Sequence, residues 1–438
     1  MEQLLHYVWK HKMFPLKTLL TSDGKEVEVI DPGMHNSNSG PDFFNAKVKI
    51  GEVMWIGNVE IHDRSTDWFR HHHDSNSDYN NVVLHVVGEI DGEVIGVDGM
   101  PIPQLKLEIP SAVSDNYHEL LHTDRFPPCY KVVTQLSTLM LHSWMAVLQT
   151  ERLEEKAEAI MRRVEMMGGD WEQAFFITLA RNFGFGINGD AFEEWGKSIP
   201  LNIAGRHRDD TFQCEALFMG QAGLLQTDNL PASWREKAQG DDYFLRLAKE
   251  YEFLKHKYAL TANTFGMWRF LRLRPQNFPH IRIAQMVTLY CAQQLNLSKL
   301  VACTSLDEVI RLLQTKVTTY WQTHYSFGEV SELNEKHLSQ QSLQLLIINT
   351  AVPILFAYGR HQMREELCER ALIFLDGLKA ENNHIVRMWK DCGMTVTTAG
   401  DSQALIQLKR KYCDKHDCLR CRIGHCYLKR AVDGDVSR

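Results

Sequence analysis

The sequence predicts an α+β chain in three parts: an N-terminal α/β sandwich, a large all-helical domain and a Cys-rich tail. Three observations carry this reading. Up to about residue 125, short β-branched runs alternate with Gly, Asn, Asp and His. From Leu136 to about Leu408 the apolar residues recur with the helical period. Four of the ten cysteines then crowd between Cys413 and Cys426. The expected boundaries are 1–128, 129–402 and 403–438. A chain of 438 residues is long enough for about two to three domains.

In chain order, a first helix is expected over 2–10, where Leu4, Leu5, Val8 and Trp9 share one face. Strands are expected at 26–30, 46–50, 54–61, 82–87, 94–97 and 104–109, each a β-branched or alternating run. Gly51-Glu52 joins the second and third as a hairpin, and Asp91-Gly92 marks a turn. A short helix at 66–72 follows Ser65, and Pro127-Pro128 closes the first part. Helices are then expected at 171–182, 210–225, 234–257, 281–293, 339–358, 363–378 and 403–411. Ser305 and Glu308 form a capping box, each satisfying an orphan amide.

Apolar residues at 44% and charged residues at 24% exclude a disordered or collagen-like chain. The net charge of −7 excludes a basic nucleic-acid coat, so any phosphate contact must come from a local patch. No run of 18 apolar residues occurs, and 343–358 reads as a buried helix rather than a membrane span. Scattered cysteines and an N-terminus without the basic and apolar regions of a signal peptide point to the cytoplasm.

The informative stretch is Gly40-Pro41-Asp42-Phe43 followed by Gly57-Asn58-Val59-Glu60-Ile61-His62. Side chains two apart on a strand share a face, so Glu60 and His62 point the same way. An aspartate opening the neighbouring strand can then share a metal with Glu60, and hard oxygen ligands suit Mg²⁺. Such an ion could polarise a phosphodiester and lower the pKa of a bound water. Five histidines fall between His62 and His85. His85 could line one pocket with His62, together with Asn58, Asp67, His73 and Asp74. The 71–73 run reads as a cap or solvated helix end, because only facing side chains chelate.

These residues resemble the PD-(D/E)xK nuclease motif, read as Pro41-Asp42 and Glu60-Ile61-His62 over roughly the first 90 residues. The resemblance implies a restriction-endonuclease-like domain over 1–128. Asp42 and Glu60 would hold Mg²⁺, and His62, standing where the family has lysine, would orient or deprotonate the attacking water. Glu2 is the candidate for the family's acidic residue on the opening helix.

The tail reads C-x4-C-x2-C-x4-C, through Cys413, Cys418, Cys421 and Cys426. Four thiolates this close can wrap one centre, as Zn²⁺ or a [4Fe–4S] cluster, with His416 or His425 able to replace a cysteine in a zinc site. The run is similar to the cluster loop of endonuclease III-type glycosylases, over the loop only. Eight Lys/Arg against two Asp between Gln403 and Arg430 make it a basic knob suited to phosphate. A second basic stretch, from Phe253 to Leu306, has no acid and includes Arg269, Arg272, Arg274 and Arg282 among aromatic residues, a composition suited to nucleic acid or to an amphipathic helix.

The whole chain is also similar to an uncharacterised bacterial family known only as a domain of unknown function, through Gly40–Phe43, Gly57–His62, Asp67-Trp68, Tyr79–His85 and Tyr412–Gly424. The expected function is a metal-dependent nuclease with a nucleic-acid partner and no membrane. The alternatives are a non-catalytic nucleic-acid-binding or adaptor protein with a structural metal, and a His/carboxylate metalloenzyme acting on a small molecule.

Overall fold

A computed structural model describes residues 1–14, 17–36 and 38–435. The chain forms two compact units: 1–144 with 387–394 and 408–438, and 145–386 with 395–407. The tail is therefore not a third part. Its helix Arg422–Asp435 packs within the first unit on α3 (Ser111–His122) and on the turn Tyr130–Gln135, because it has its own apolar face to bury.

In the first unit, α1 (Glu2–Lys10) buries Leu4, Leu5, Val8 and Trp9, the face its spacing predicts. The Trp9 indole N–H donates to the Pro32 carbonyl at 3.0 Å, so the buried ring leaves no donor unpaired. One sheet holds β1 (Leu19–Leu20), β2 (Glu26–Asp31), β3 (Met34–His35), β4 (Phe43–Ile50), β5 (Val53–Arg64), β6 (Val82–Glu89) and β7 (Gln104–Lys106). The order is β1-β2-β4-β5-β6-β7, with β3 paired to β4. β2, β4 and β5 form an antiparallel meander, and β6 and β7 then continue parallel to β5. Gly51, at φ 58°, supplies the left-handed residue that the tight β4–β5 turn needs. The crossover to β6 carries α2 (Asp67–Arg70), so helix, strands, helix and strand occur in the expected order.

A bulge between Phe43 and Ala46, with Asn45 at φ 55°, lets both of those side chains face the core. β6 is buried along most of its length, as a parallel strand covered on both faces should be. The strand expected at 94–97 does not form. The Gly96 N–H donates to the Met100 carbonyl at 2.8 Å and closes a turn, leaving one isolated Ile95–Pro101 bridge. β1 and β3, at two residues each, are too short to show alternation in a sequence.

The second unit is helical apart from a small hairpin, His324–Ser326 with Glu329–Val330, and its interior is one continuous apolar cluster. The helix expected at 234–257 is two, Ala232–Gln239 and Asp242–Tyr258. Asp241 restarts the second by accepting the Phe244 N–H at 2.9 Å. The Ser305–Glu308 capping box forms as expected. Among the described residues one helical segment, Gln340–His361, is long and apolar enough to cross a membrane, and 72% of its apolar window is buried inside the protein.

Candidate metal centre

Four elements of the first unit position the site. Asp42 stands one residue before β4; Glu60 and His62 alternate on one face of β5; His85 pairs with Glu60 in the parallel β5–β6 register; His71 and His73 follow α2. His62 Nδ1 lies 2.9 Å from His85 Nε2, which leaves His62 Nε2 facing the other way. His72 adopts left-handed φ 61°, ψ 30°, a conformation that costs a β-carbon-bearing residue about 1 kcal/mol. That reversal turns both His71 and His73 towards His62. His71 is the exposed C-cap of α2 and His72 is exposed, as a cap or solvated helix end requires, although His71 also reaches His62. Buried His73 departs from that expectation, and the backbone at His72, which spacing alone does not reveal, is the reason.

The resulting distances are short. His71 Nδ1 is 3.1 Å from His62 Nε2. Glu60 Oε1 is 3.1 Å from His73 Nε2 and 3.5 Å from His62 Nε2. His62, His71 and His73 each offer a ligand atom, all mutually within 4.8 Å. A tetrahedral ion with ~2.0–2.1 Å bonds to nitrogen and oxygen spaces neighbouring ligand atoms about 3.3 Å apart, so these residues fit one.

Asp42 adjoins the group through the backbone. Its N–H donates to Glu60 Oε2 at 3.0 Å, and its Oδ2 accepts the Ile61 N–H at 2.9 Å. His6 Nε2 of α1 lies 3.4 Å from the same Oδ2. Glu2, one turn earlier on α1, adds its charge to Asp42 and Glu60.

Burial sets the charge states. It holds both carboxyls above the usual carboxylate range, and the Glu60 charge raises Asp42 further. It also lowers the imidazoles: His85 to about 3, with His73 contributing, His6 to about 4, with His35 contributing, and His62 well below its usual value, with His85, His73 and His71 contributing. Neutral imidazoles keep the lone pair that a metal takes.

Beside the group opens a cleft of about 570 Å³, lined by His6, Lys10, His35, Lys415, His416 and Arg420 among others. Among the described residues the one acid in its lining, Asp417, is paired with Arg420 at 3.4 Å. His6 both lines the cleft and touches Asp42.

Residues 2–384 match a family described as a protein of unknown function, DUF2851. The chain belongs to this family. No curated protein and no solved structure matches it. The histidine–carboxylate group of this DUF2851 protein lies inside the matched residues, whereas the 413–426 cysteine segment lies beyond them.

The remaining expected site residues of the DUF2851 protein are placed as follows. Asn58 accepts the Asn45 N–H at 3.4 Å and so braces the bulge. Asp67 accepts the Arg64 N–H at 3.2 Å and pairs with Arg70 at 3.0 Å, which makes it a brace for α2. Asp74 is exposed in the turn after His73. Arg269, Arg272 and Arg274 are exposed, in the second unit. Arg282 is buried instead, donating to Gln285 Oε1 at 2.8 Å and Asn277 Oδ1 at 2.7 Å, so it offers nothing to a phosphate. The aromatic platform expected there is spent on the core: Trp268 is buried with its N–H on the Ala222 carbonyl at 2.7 Å, and Phe265 stacks on Phe270. His6 and His71 are the site residues the sequence reading missed. The Glu2/His6 spacing of four on one helix was the available signal for the first.

Proposed function

We propose that this DUF2851 protein is a metal-dependent phosphodiester hydrolase acting on nucleic acid. The observation that carries the reading is the convergence of Glu60, His62, His71 and His73 beside Asp42, next to a cleft lined by basic residues. Three imidazoles and a carboxylate suit a transition ion such as Zn²⁺, Fe²⁺ or Mn²⁺ better than the Mg²⁺ first expected. When bound, the ion would supply Lewis-acid polarisation of a phosphoryl oxygen and a more acidic water. Glu60, His62, His71 and His73 would hold it, with His85 orienting His62 through the hydrogen bond at Nδ1. Asp42 stands next to the donors and can take a proton. Lys10, Lys415 and Arg420 would track the polyanion backbone.

The imidazole-rich donor set also supports a second reading, hydrolysis of a small phosphate ester. Both are tested by cleavage of single- and double-stranded DNA and RNA, and of bis-p-nitrophenyl phosphate, with Mn²⁺, Zn²⁺ or Mg²⁺. The expected result is polynucleotide cleavage that is lost in Glu60→Gln and His73→Asn. Lys415→Ala with Arg420→Ala should weaken polynucleotide binding and flatten its salt dependence, by a slope of about 0.9 per lost phosphate contact on duplex DNA. Cleavage confined to the small diester would favour the second reading. No cleavage of any substrate, or full activity in both ligand variants, would overturn the hydrolase.

A further inference from the structure

The tail of the first unit brings a different set of thiols together from the four that sequence spacing selects. Cys413 ends the π-helical turn Leu408–Cys413, which packs on the turn Cys418–Arg420. The Cys421 N–H donates to the Cys418 carbonyl at 3.2 Å and closes that turn at the start of the helix Arg422–Asp435. A β-carbon on Gly424 would lie 2.2 Å from the Cys418 carbonyl oxygen, so only glycine lets the first helical turn fold down on the loop.

The same helix packs on the turn Tyr130–Gln135, and Cys129 is the residue that caps this turn. Cys129 is buried, within charge–charge reach of Cys418 and Cys421. Cys413 is within reach of Cys129, Cys418 and Cys421. Cys426, by contrast, interacts electrostatically with Lys429 and the Tyr7 side chain. His425, a possible replacement ligand by sequence, is engaged by the Tyr7 hydroxyl at 2.8 Å, and His416 lines the cleft.

We propose that Cys129, Cys413, Cys418 and Cys421 ligate a [4Fe–4S] cluster, with Cys426 outside the ligand set. Two further observations support this. None of the four is in a disulfide. The Trp144 indole N–H is buried without a regular partner, and it stands beside the Cys421 sulfur, as do the backbone N–H groups of Ile423 and Gly424. Donors gathered on one sulfur are the outer contacts that orient a metal ligand.

The spacing selects between metals. Four thiolates on one zinc, at ~2.3 Å each, stand about 3.8 Å apart. Among the described residues no three of these sulfurs come within 4.8 Å of one another. A cubane carries one thiolate at each of its four irons and holds the sulfurs further apart. On binding, each thiol releases its proton and its sulfur bonds one iron. The cluster would pin the loop that places Lys415, His416 and Arg420 in the cleft.

The test is anaerobic purification of the full chain, with iron, acid-labile sulfide and zinc assayed and the visible spectrum recorded. The expected wild-type result is four irons and four sulfides per chain, with broad absorption near ~400 nm. Cys129→Ala and Cys413→Ala should lose both, and Cys426→Ala should keep both. Circular dichroism of each variant separates cluster loss from misfolding. Where Cys129→Ala misfolds, Cys129→Ser reconstituted with iron and sulfide replaces it, and is expected to take up no four-iron cluster. Stoichiometric zinc without iron would overturn the cluster. A cluster retained in folded Cys129 variants and lost in Cys426→Ala would overturn the ligand set.

Discussion

Replacing Glu60 by Gln tests the candidate centre with the least disturbance of shape. Glu60 Oε2 accepts the Asp42 N–H at 3.0 Å, and the amide oxygen of Gln can do the same. Its NH₂ then faces His73 Nε2, where the carboxylate stood at 3.1 Å. Without metal, the exchange removes one of two acids that burial holds above the usual carboxylate range, and with it the charge that raises Asp42 further. Metal-free Glu60→Gln should therefore be at least as stable as the parent. With metal the order reverses. An ion present at 100 times its dissociation constant stabilises the folded state by about 2.7 kcal/mol. At roughly 2–4 °C per kcal/mol for a unit of this size, that is a rise of ~5–11 °C. Losing the only carboxylate ligand should weaken binding at least as much as losing a supporting group does, about 100-fold at the upper end. The same metal concentration then stabilises the variant by only ~0.4 kcal/mol, or ~1–2 °C. The assay is thermal unfolding of chelator-treated full chain with and without Mn²⁺, an ion that prefers oxygen and imidazole to thiolate. Equal Mn²⁺ shifts in the two proteins, or metal-free Glu60→Gln several degrees less stable than the parent, would refute the reasoning.

Two further predictions concern the interior. His280 in the second unit is fully buried among Trp234, Phe270, Trp321 and Phe327, with neither ring nitrogen partnered, and burial lowers its pKa from 6.5 to about 3. Between those values the unfolded chain binds a proton that the folded chain refuses, so stability is full above 6.5 and falls as pH drops towards 3. The loss at pH 5 is about 2 kcal/mol, and His280→Leu should remove that part of the acid slope in urea titrations at pH 5 and 7; identical slopes would count against it. Gly57 on β5 lies against β6, where a β-carbon would meet Val83 Cγ1 at 2.4 Å and the Asn81 carbonyl oxygen at 2.7 Å. Gly57→Ala should cost about 1–3 kcal/mol and pry the two strands apart, lowering metal affinity with stability, and an unchanged denaturation midpoint would show that the sheet yields there.

The sequence alone determined the elements and one line of the chemistry. Period-two and period-3.6 patterns reflect which side of an element faces water, and this is local, so the meander, α1 and most of the long helices were legible. Glu60 and His62 were legible as a pair because a strand fixes side chains two apart on one face. Tertiary structure decided the rest. The parallel β5–β6 register, set by a crossover, carried His85 to His62. One left-handed backbone at His72 buried His73 and aimed His71 and His73 at His62. The last helix packs on the turn after Cys129, a thiol nearly 300 positions before Cys426, and no spacing within the tail records that neighbour. Burial consumed Trp268 and Arg282, which composition had offered to nucleic acid. Each of these outcomes depends on which distant surface covers a residue, and a pattern within one element carries no record of that.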